Sequence, residues 1–193
     1  MAFPFGEYHS IMNPFIHLVF MGVSGCGKTT AAELAADLTG WPYAEADGFH
    51  PQANIDKMAS GHPLDDDDRR PWLEAMRDWM TDRANEGTSA GTVVTCSALK
   101  RSYRDILRGA EGRVVFVHLY GEAAVIEERL AHRKGHFMPA SLLPSQYADL
   151  EQLQDDEDGV TVDLAGTPRE IVDAGLAYAG IAPSQSKSDE KDA

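Results

Sequence analysis

At 193 residues the chain is long enough for one domain with a substantial buried core, and its 43% apolar and 25% charged residues are ordinary for a soluble globular protein. Its 31 acidic against 17 basic residues give a net charge of −14, which argues against nucleic acid as a bulk partner and requires any phosphate site to concentrate positive charge locally. Two cysteines, Cys26 and Cys96, read as reduced thiols of a cytoplasmic protein, no apolar run is long enough to span a membrane, and Met1-Ala2-Phe3-Pro4-Phe5 lacks the basic and apolar regions of a leader.

Residues 1–15 carry two prolines and no periodicity, and are expected to be an extension outside the fold. A single domain is expected over 16–182. The apolar run Ile16 to Met21 predicts a buried strand, and the Ala/Leu-rich Thr30 to Leu38 a helix closed by Gly40. Trp41 to Ala46 predicts a second strand that delivers Asp47-Gly48-Phe49-His50-Pro51 at its carboxyl end, where open α/β sheets bind ligands. A helix over 52–59 follows, then the acidic run Asp65 to Asp68, expected at the N-terminus of a helix whose Trp72, Met76, Trp79 and Met80 form a core-facing stripe. Thr92 to Cys96 reads as a third strand, with a helix opening at Ser97, and Arg113 to Leu119 as a fourth strand buried on both faces. Helices are expected over 122–132 and about 145–154, then a fifth strand over 160–164 and a last helix started by Thr167-Pro168. The tail 183–193 is polar and expected to be disordered. Strands alternating with helices predict a parallel sheet between two helix layers.

The chemistry concentrates in Gly22-Val23-Ser24-Gly25-Cys26-Gly27-Lys28-Thr29, a full match to G-x-x-x-x-G-K-[ST] between a strand and a helix. Glycines let the backbone curl so that its N–H groups face phosphate oxygens, and the helix adds its unpaired N–H groups and positive dipole end. Lys28 reaches the β- and γ-phosphates and Thr29 holds Mg²⁺. Asp47 stands where a carboxylate would take a proton from an attacking hydroxyl, or would simply cap a turn. Arg129 and Arg133 share a helix face and, with His132, Lys134 and His136 around Gly135, make the densest basic cluster; a mobile lid over 133–141 is expected there. Cys26, near a helix N-terminus and Lys28, is either a reactive thiolate or a small filler.

Taken together, Gly22 to Lys28, Asp47-Gly-Phe-His50-Pro51, Asn54 to Gly61, Pro63 to Trp72, Cys96-Ser-Ala-Leu-Lys-Arg-Ser-Tyr-Arg104 and Arg133-Lys-Gly-His-Phe137 resemble the gluconokinase family, from about Ile16 to Tyr178. The resemblance implies a P-loop nucleoside-kinase-like α/β fold with a five-stranded parallel sheet, a homodimer, and ATP- and Mg²⁺-dependent phosphorylation of D-gluconate to 6-phosphogluconate. By position it makes Lys28, Asp47 and Arg133 catalytic, and assigns the nucleotide to Gly22, Ser24, Gly25, Cys26, Gly27, Lys28, Thr29, Thr30, Arg129, Arg133, Thr167 and Pro168. It assigns substrate to Asp47, His50, Arg69, Arg104 and His136, and hydrated Mg²⁺ to Thr29 and Glu45. Cys26 stands where serine is more usual, and Glu45 where an aspartate is expected. A shikimate-kinase-like enzyme is the alternative. A GTPase-type switch lacks its Asn-Lys-x-Asp, and Asp37-Leu-Thr-Gly40 lies at a helix end where no switch motif sits.

Overall fold

The chain's first strand, β1 (Ile16–Met21), is buried at every position, and this follows from its place at the centre of a sheet covered on both sides. The computed structural model describes residues 14–131 and 143–182. Five parallel strands run in the order β2-β3-β1-β4-β5, where β2 is Tyr43–Glu45, β3 Gly91–Thr95, β4 Arg113–Tyr120 and β5 Gly159–Asp163. Leu18 is aligned with Val93 on one side and Val115 on the other, and Phe116 with Gly159. From β1 the chain crosses to the edge strand β2 and returns to β3 beside β1, then passes to β4 on the other side and outward to β5. A crevice therefore opens beyond the carboxyl end of β1.

Helices α1 (Lys28–Thr39), α5 (Ala123–Ala131), α6 (Leu143–Asp149) and α7 (Pro168–Ala179) accompany one core, in which Leu18, Phe20, Val93, Val115 and Val117 meet Ala31, Ala35, Ile171 and Leu176. Helices α3 (Asp66–Glu86) and α4 (Arg101–Leu107) enclose the other, where Val19, Met21, Val94 and Phe116 meet Trp72, Leu73, Met76, Met80 and Leu107. Alternate residues of each strand supply the two cores, as a period of two requires. A short 3₁₀ turn (Ala46–Phe49) and helix α2 (Gln52–Ala59) complete the order. The stripe on α3 packs as expected, with Trp79 only partly buried against the edge of Phe49. Asp65 caps α3 and exchanges bonds with Asp68 in a capping box, so the acidic run serves the helix N-terminus as its sequence implies.

Two helices differ from expectation. The helix expected to open at Ser97 begins at Arg101, because Ala98 adopts a left-handed φ of 43° and Lys100 is extended. The helix expected over 145–154 is Leu143–Asp149. Beyond it the Glu151 N–H donates to the Leu99 carbonyl at 2.8 Å, and Arg104 takes the Glu151 and Gln152 carbonyls, so this backbone bonds to the 98–104 segment and leaves the helix. The expected lid over 133–141, with Arg133 and His136, the expected tail 183–193, and nearly all of the expected extension 1–15 lie outside the described residues.

Candidate active site at the carboxyl edge of the sheet

The loop joining β1 to α1 is shaped by glycine where nothing else fits. Gly22 has φ 139°, and a Cβ there would lie 2.7 Å from the Leu119 carbonyl oxygen; Gly25 and Gly27 also have positive φ. The Gly22 N–H donates to the Ser97 carbonyl at 3.2 Å, which ties the loop to the segment after β3. Gly27 caps α1 without a side-chain bond, leaving first-turn N–H groups for an anion. Lys28 Nζ donates to the carbonyls of Gly22 and Val23 at 3.0 and 2.9 Å, so its charge lies over the loop. Cys26 is fully buried and packs as filler against Gly22. The Ser24 N–H donates to Gln146 Oε1 of α6 at 2.6 Å, a partner that the loop's own sequence does not announce.

On the α1 and α7 side, a cleft of about 660 Å³ is lined by Gly25, Cys26, Gly27, Thr30, Arg129 and Pro168 among the expected nucleotide residues, by Gly166 of the loop that the family resemblance puts near adenine, and also by Glu128, Leu164 and Ile171, which sequence reasoning missed. Arg129 is held by the carbonyls of Leu164 (2.8 Å) and Cys26 (3.4 Å) and so joins α5, the loop and the approach to α7. Thr167 does not line the cleft; its hydroxyl and N–H complete a capping box with Glu170. Thr29 starts α1 beside the loop. Among the described residues no group of three or more His, Cys, Asp or Glu is arranged to hold a metal, and one hydroxyl such as Thr29 suits Mg²⁺ carried chiefly by phosphates and water.

On the α3 and α4 side, Asp47 is exposed on the 3₁₀ turn, which is fixed from below by Trp72 Nε1 donating to the Ala46 carbonyl at 2.7 Å. His50 stacks on Trp72 with ring centroids 4.4 Å apart and 12° between planes. Burial lowers the His50 pKa most; Asp47 opposes that and Arg69 adds to it, so all three belong to one electrostatic neighbourhood. Cys96, at the end of β3, is pushed up to about 12 by burial, and it feels both Lys28 and Asp47. Arg69 Nη1 donates to the Tyr103 hydroxyl at 3.2 Å. Glu45 is exposed and accepts from the Tyr43 hydroxyl at 2.8 Å.

Arg104 requires a correction. Its guanidinium is fully buried and bonded to both carboxylate oxygens of Glu157 and to the carbonyls of Ala98, Leu99, Glu151 and Gln152, so it braces two loops and has no face toward substrate. The family resemblance implies a substrate role for it, and sequence does not reveal which side of a two-turn helix faces inward.

The chain is 52% identical over 145 residues to the gluconokinase of Gluconobacter oxydans, a match covering 75% of this chain and 80% of the relative. It belongs to the gluconokinase family. Two solved structures agree with that membership. A gluconokinase from Sinorhizobium meliloti superposes with a TM-score of 0.74 at 46% identity, covering 86% of this chain and 92% of its own. A sugar kinase from Janibacter gives 0.81 at 52%, covering 88% and 97%. A shikimate kinase from Aquifex aeolicus, at 16% identity and a TM-score of 0.53, shares the fold alone. No family model matches. The phosphate loop follows β1 and the Asp47–His50 turn follows β2, so both lie at the carboxyl edge of the parallel sheet. No helix among the described residues is long and apolar enough to cross a membrane.

Proposed function

We propose that this gluconokinase transfers the γ-phosphoryl group of ATP to the 6-hydroxyl of D-gluconate, with the nucleotide on the α1–α7 face and the acceptor on the α3–α4 face. The observation that carries the assignment is the phosphate loop, with Lys28 over its Gly22 and Val23 carbonyls, opening at the same carboxyl edge of the sheet as the exposed Asp47 turn, in a chain 52% identical to a gluconokinase. Asp47 orients the 6-hydroxyl and takes its proton as the new oxygen–phosphorus bond forms. The bond from phosphorus to the β,γ-bridging oxygen breaks and ADP leaves. Lys28 and the loop N–H groups hold the charge on the β- and γ-phosphates, so catalysis is mostly positioning and electrostatic stabilisation. Thr29, with Glu45 through water, would hold Mg²⁺ brought in by the nucleotide, and the ion would supply charge neutralisation on the phosphates. The Arg129 guanidinium lies against the loop and serves the nucleotide; Arg133 and His136 keep the roles that family resemblance gives them. Gly22, Ser24, Gly25, Cys26, Gly27 and Thr30 contribute backbone or rim contacts, Pro168 bounds the adenine end with Thr167 behind it, and His50 and Arg69 hold the sugar acid. We further propose a cytoplasmic homodimer.

The test is a coupled assay of ADP release with MgATP against D-gluconate, shikimate, glucose and no acceptor. Gluconate-dependent turnover is expected. Turnover with shikimate and silence with gluconate would keep the fold and overturn the acceptor assignment.

A further inference from the structure

With Arg104 committed to Glu157, the positive charge that recognises the acceptor's carboxylate must come from elsewhere. The geometry points to Lys100, acting with Arg69 and the Tyr103 hydroxyl, as the carboxylate-reading site for gluconate, and to Asp66 as the internal carboxylate with which the substrate exchanges. This rests on the gluconokinase reading and deepens it.

Four residues from three segments, α3, the 97–100 loop and α4, meet there. Lys100 Nζ donates to Asp66 Oδ1 at 2.9 Å and to Oδ2 at 3.2 Å. The Tyr103 hydroxyl donates to the same Oδ1, and Arg69 lies 3.8 Å from that oxygen while donating to the Tyr103 hydroxyl. Both cations also lie against the Tyr103 ring, Nζ of Lys100 at 5.5 Å and the guanidinium of Arg69 at 5.7 Å from its centroid. Two donors and a second cation thus converge on one carboxylate, an arrangement suited to recognising an anion.

The helix does not need the Asp66 side chain. Capping of α3 is carried by Asp65 and Asp68, which Lys57 bridges, and Asp66 is turned away from them toward α4. Exposure separates the partners: the Asp66 side chain is 62% exposed, whereas those of Lys100 and Arg69 are 26% exposed. The donors are sheltered and the acceptor is at the mouth, so a second carboxylate can replace Asp66 without dismantling the donors.

The cluster is also tied to the reacting end. Lys100 closes the 97–100 loop, whose Ser97 carbonyl receives the Gly22 N–H and whose Ala98 holds a left-handed φ of 43°. Arg69 is felt at His50, which in turn feels Asp47. A polyol chain with its hydroxyl at Asp47 and its carboxylate at Lys100 would run past His50, consistent with an acid and not a neutral sugar as acceptor.

The experiment measures steady-state kinetics with gluconate, together with the inhibition constant of gluconamide, its neutral analogue, for the wild type, Lys100→Met, Lys100→Arg, Tyr103→Phe and Asp66→Asn. Lys100→Met is expected to raise the gluconate KM about 10- to 100-fold, with kcat and the MgATP KM within about threefold and gluconamide inhibition unchanged. Lys100→Arg should restore part of the loss. Asp66→Asn should lower the gluconate KM severalfold by removing the competing carboxylate. A gluconate KM within twofold of wild type in Lys100→Met, or an equal weakening of gluconamide and gluconate, overturns the assignment. A raised KM in Asp66→Asn overturns the exchange. Should Lys100→Met fail to fold, Tyr103→Phe carries the same comparison, with an expected loss of about fivefold. Wild-type turnover of gluconate checks the underlying reading independently of every variant.

Discussion

The two faces of the site are built on opposite principles. The face proposed for the nucleotide presents main-chain N–H groups of one short loop, held in shape by Gly22, Gly25 and Gly27 and backed by the start of α1. The face proposed for the acceptor presents side chains from the 3₁₀ turn, α3, the 97–100 loop and α4, brought together by packing on Trp72 and by ion pairs. The first kind of site tolerates side-chain change but not backbone change, which is why Cys26 can replace a serine: its thiol is buried beneath the loop. The second kind fails or changes preference with a single side chain.

The sharpest way to break this contrast is Asp47→Asn. A roughly 10²–10⁴-fold fall in kcat is expected, with the MgATP KM little changed, because the carboxylate works only on the acceptor face. A loss below about tenfold would remove Asp47 from the role of base. Next in size is Arg104→Met. Leaving Glu157 buried without its partner should cost about 3–5 kcal/mol of stability, read from urea denaturation, while the gluconate KM of the protein that remains folded is preserved. A raised KM with stability intact would return Arg104 to the substrate. The double change Arg104→Met with Glu157→Leu should recover much of the stability, since it removes both buried charges.

How much of this was legible in the sequence follows the same division. The loop, its strand and its helix are contiguous, so spacing alone placed Gly22 to Thr29 and the sheet edge correctly. The acidic run announced a helix N-terminus, and Thr167-Pro168 the start of α7, because capping is local chemistry. Lys100 and Tyr103 read only as part of a helix start, and Arg104 as a substrate residue, because their pairing across 34 and 37 residues to Asp66 and 53 residues to Glu157 leaves no local mark. The early end of α6 has the same origin: the residues that unwind it lie in the 98–104 segment, far back in the chain. Leu164 and Ile171 in the wall of the cleft were hidden for another reason, since apolar residues there read equally well as core.

Lys28→Met sharpens the contrast from the nucleotide face. Removing the cation that lies over the Gly22 and Val23 carbonyls should lower kcat roughly 10²–10³-fold and also raise the MgATP KM, while gluconate binding measured by calorimetry without nucleotide changes little. Cys26→Ser should leave all three quantities within about twofold, as a loop that binds through its backbone requires. A large loss in Cys26→Ser together with a mild Lys28→Met would mean that side-chain chemistry governs this face as well.

The smallest expected effect concerns what supports the acceptor face from within. His118 is fully buried on β4, and neither ring nitrogen has a hydrogen-bond partner among the described residues. Burial, and then the Arg104 charge, push its pKa down to about 4, whereas the unfolded chain titrates near 6.5. Between those values the unfolded chain binds more protons than the native one. His118 therefore costs no stability above about pH 6.5 and a growing amount as pH falls toward about 4, at a limiting slope of about 1.4 kcal/mol per pH unit. Urea midpoints of the wild type and His118→Phe at pH 8, 6 and 5 isolate this contribution. The other shifted groups, among them His17 and His50 with lowered pKa values and the depressed Asp65, Asp66, Asp156, Glu157, Asp158 and Glu170, are present in both proteins and cancel. The wild type should lose more stability than the variant as pH falls. Parallel loss would mean that His118 gains a proton in the native core, and that the Arg104–Glu157 brace beside it yields to accommodate the charge.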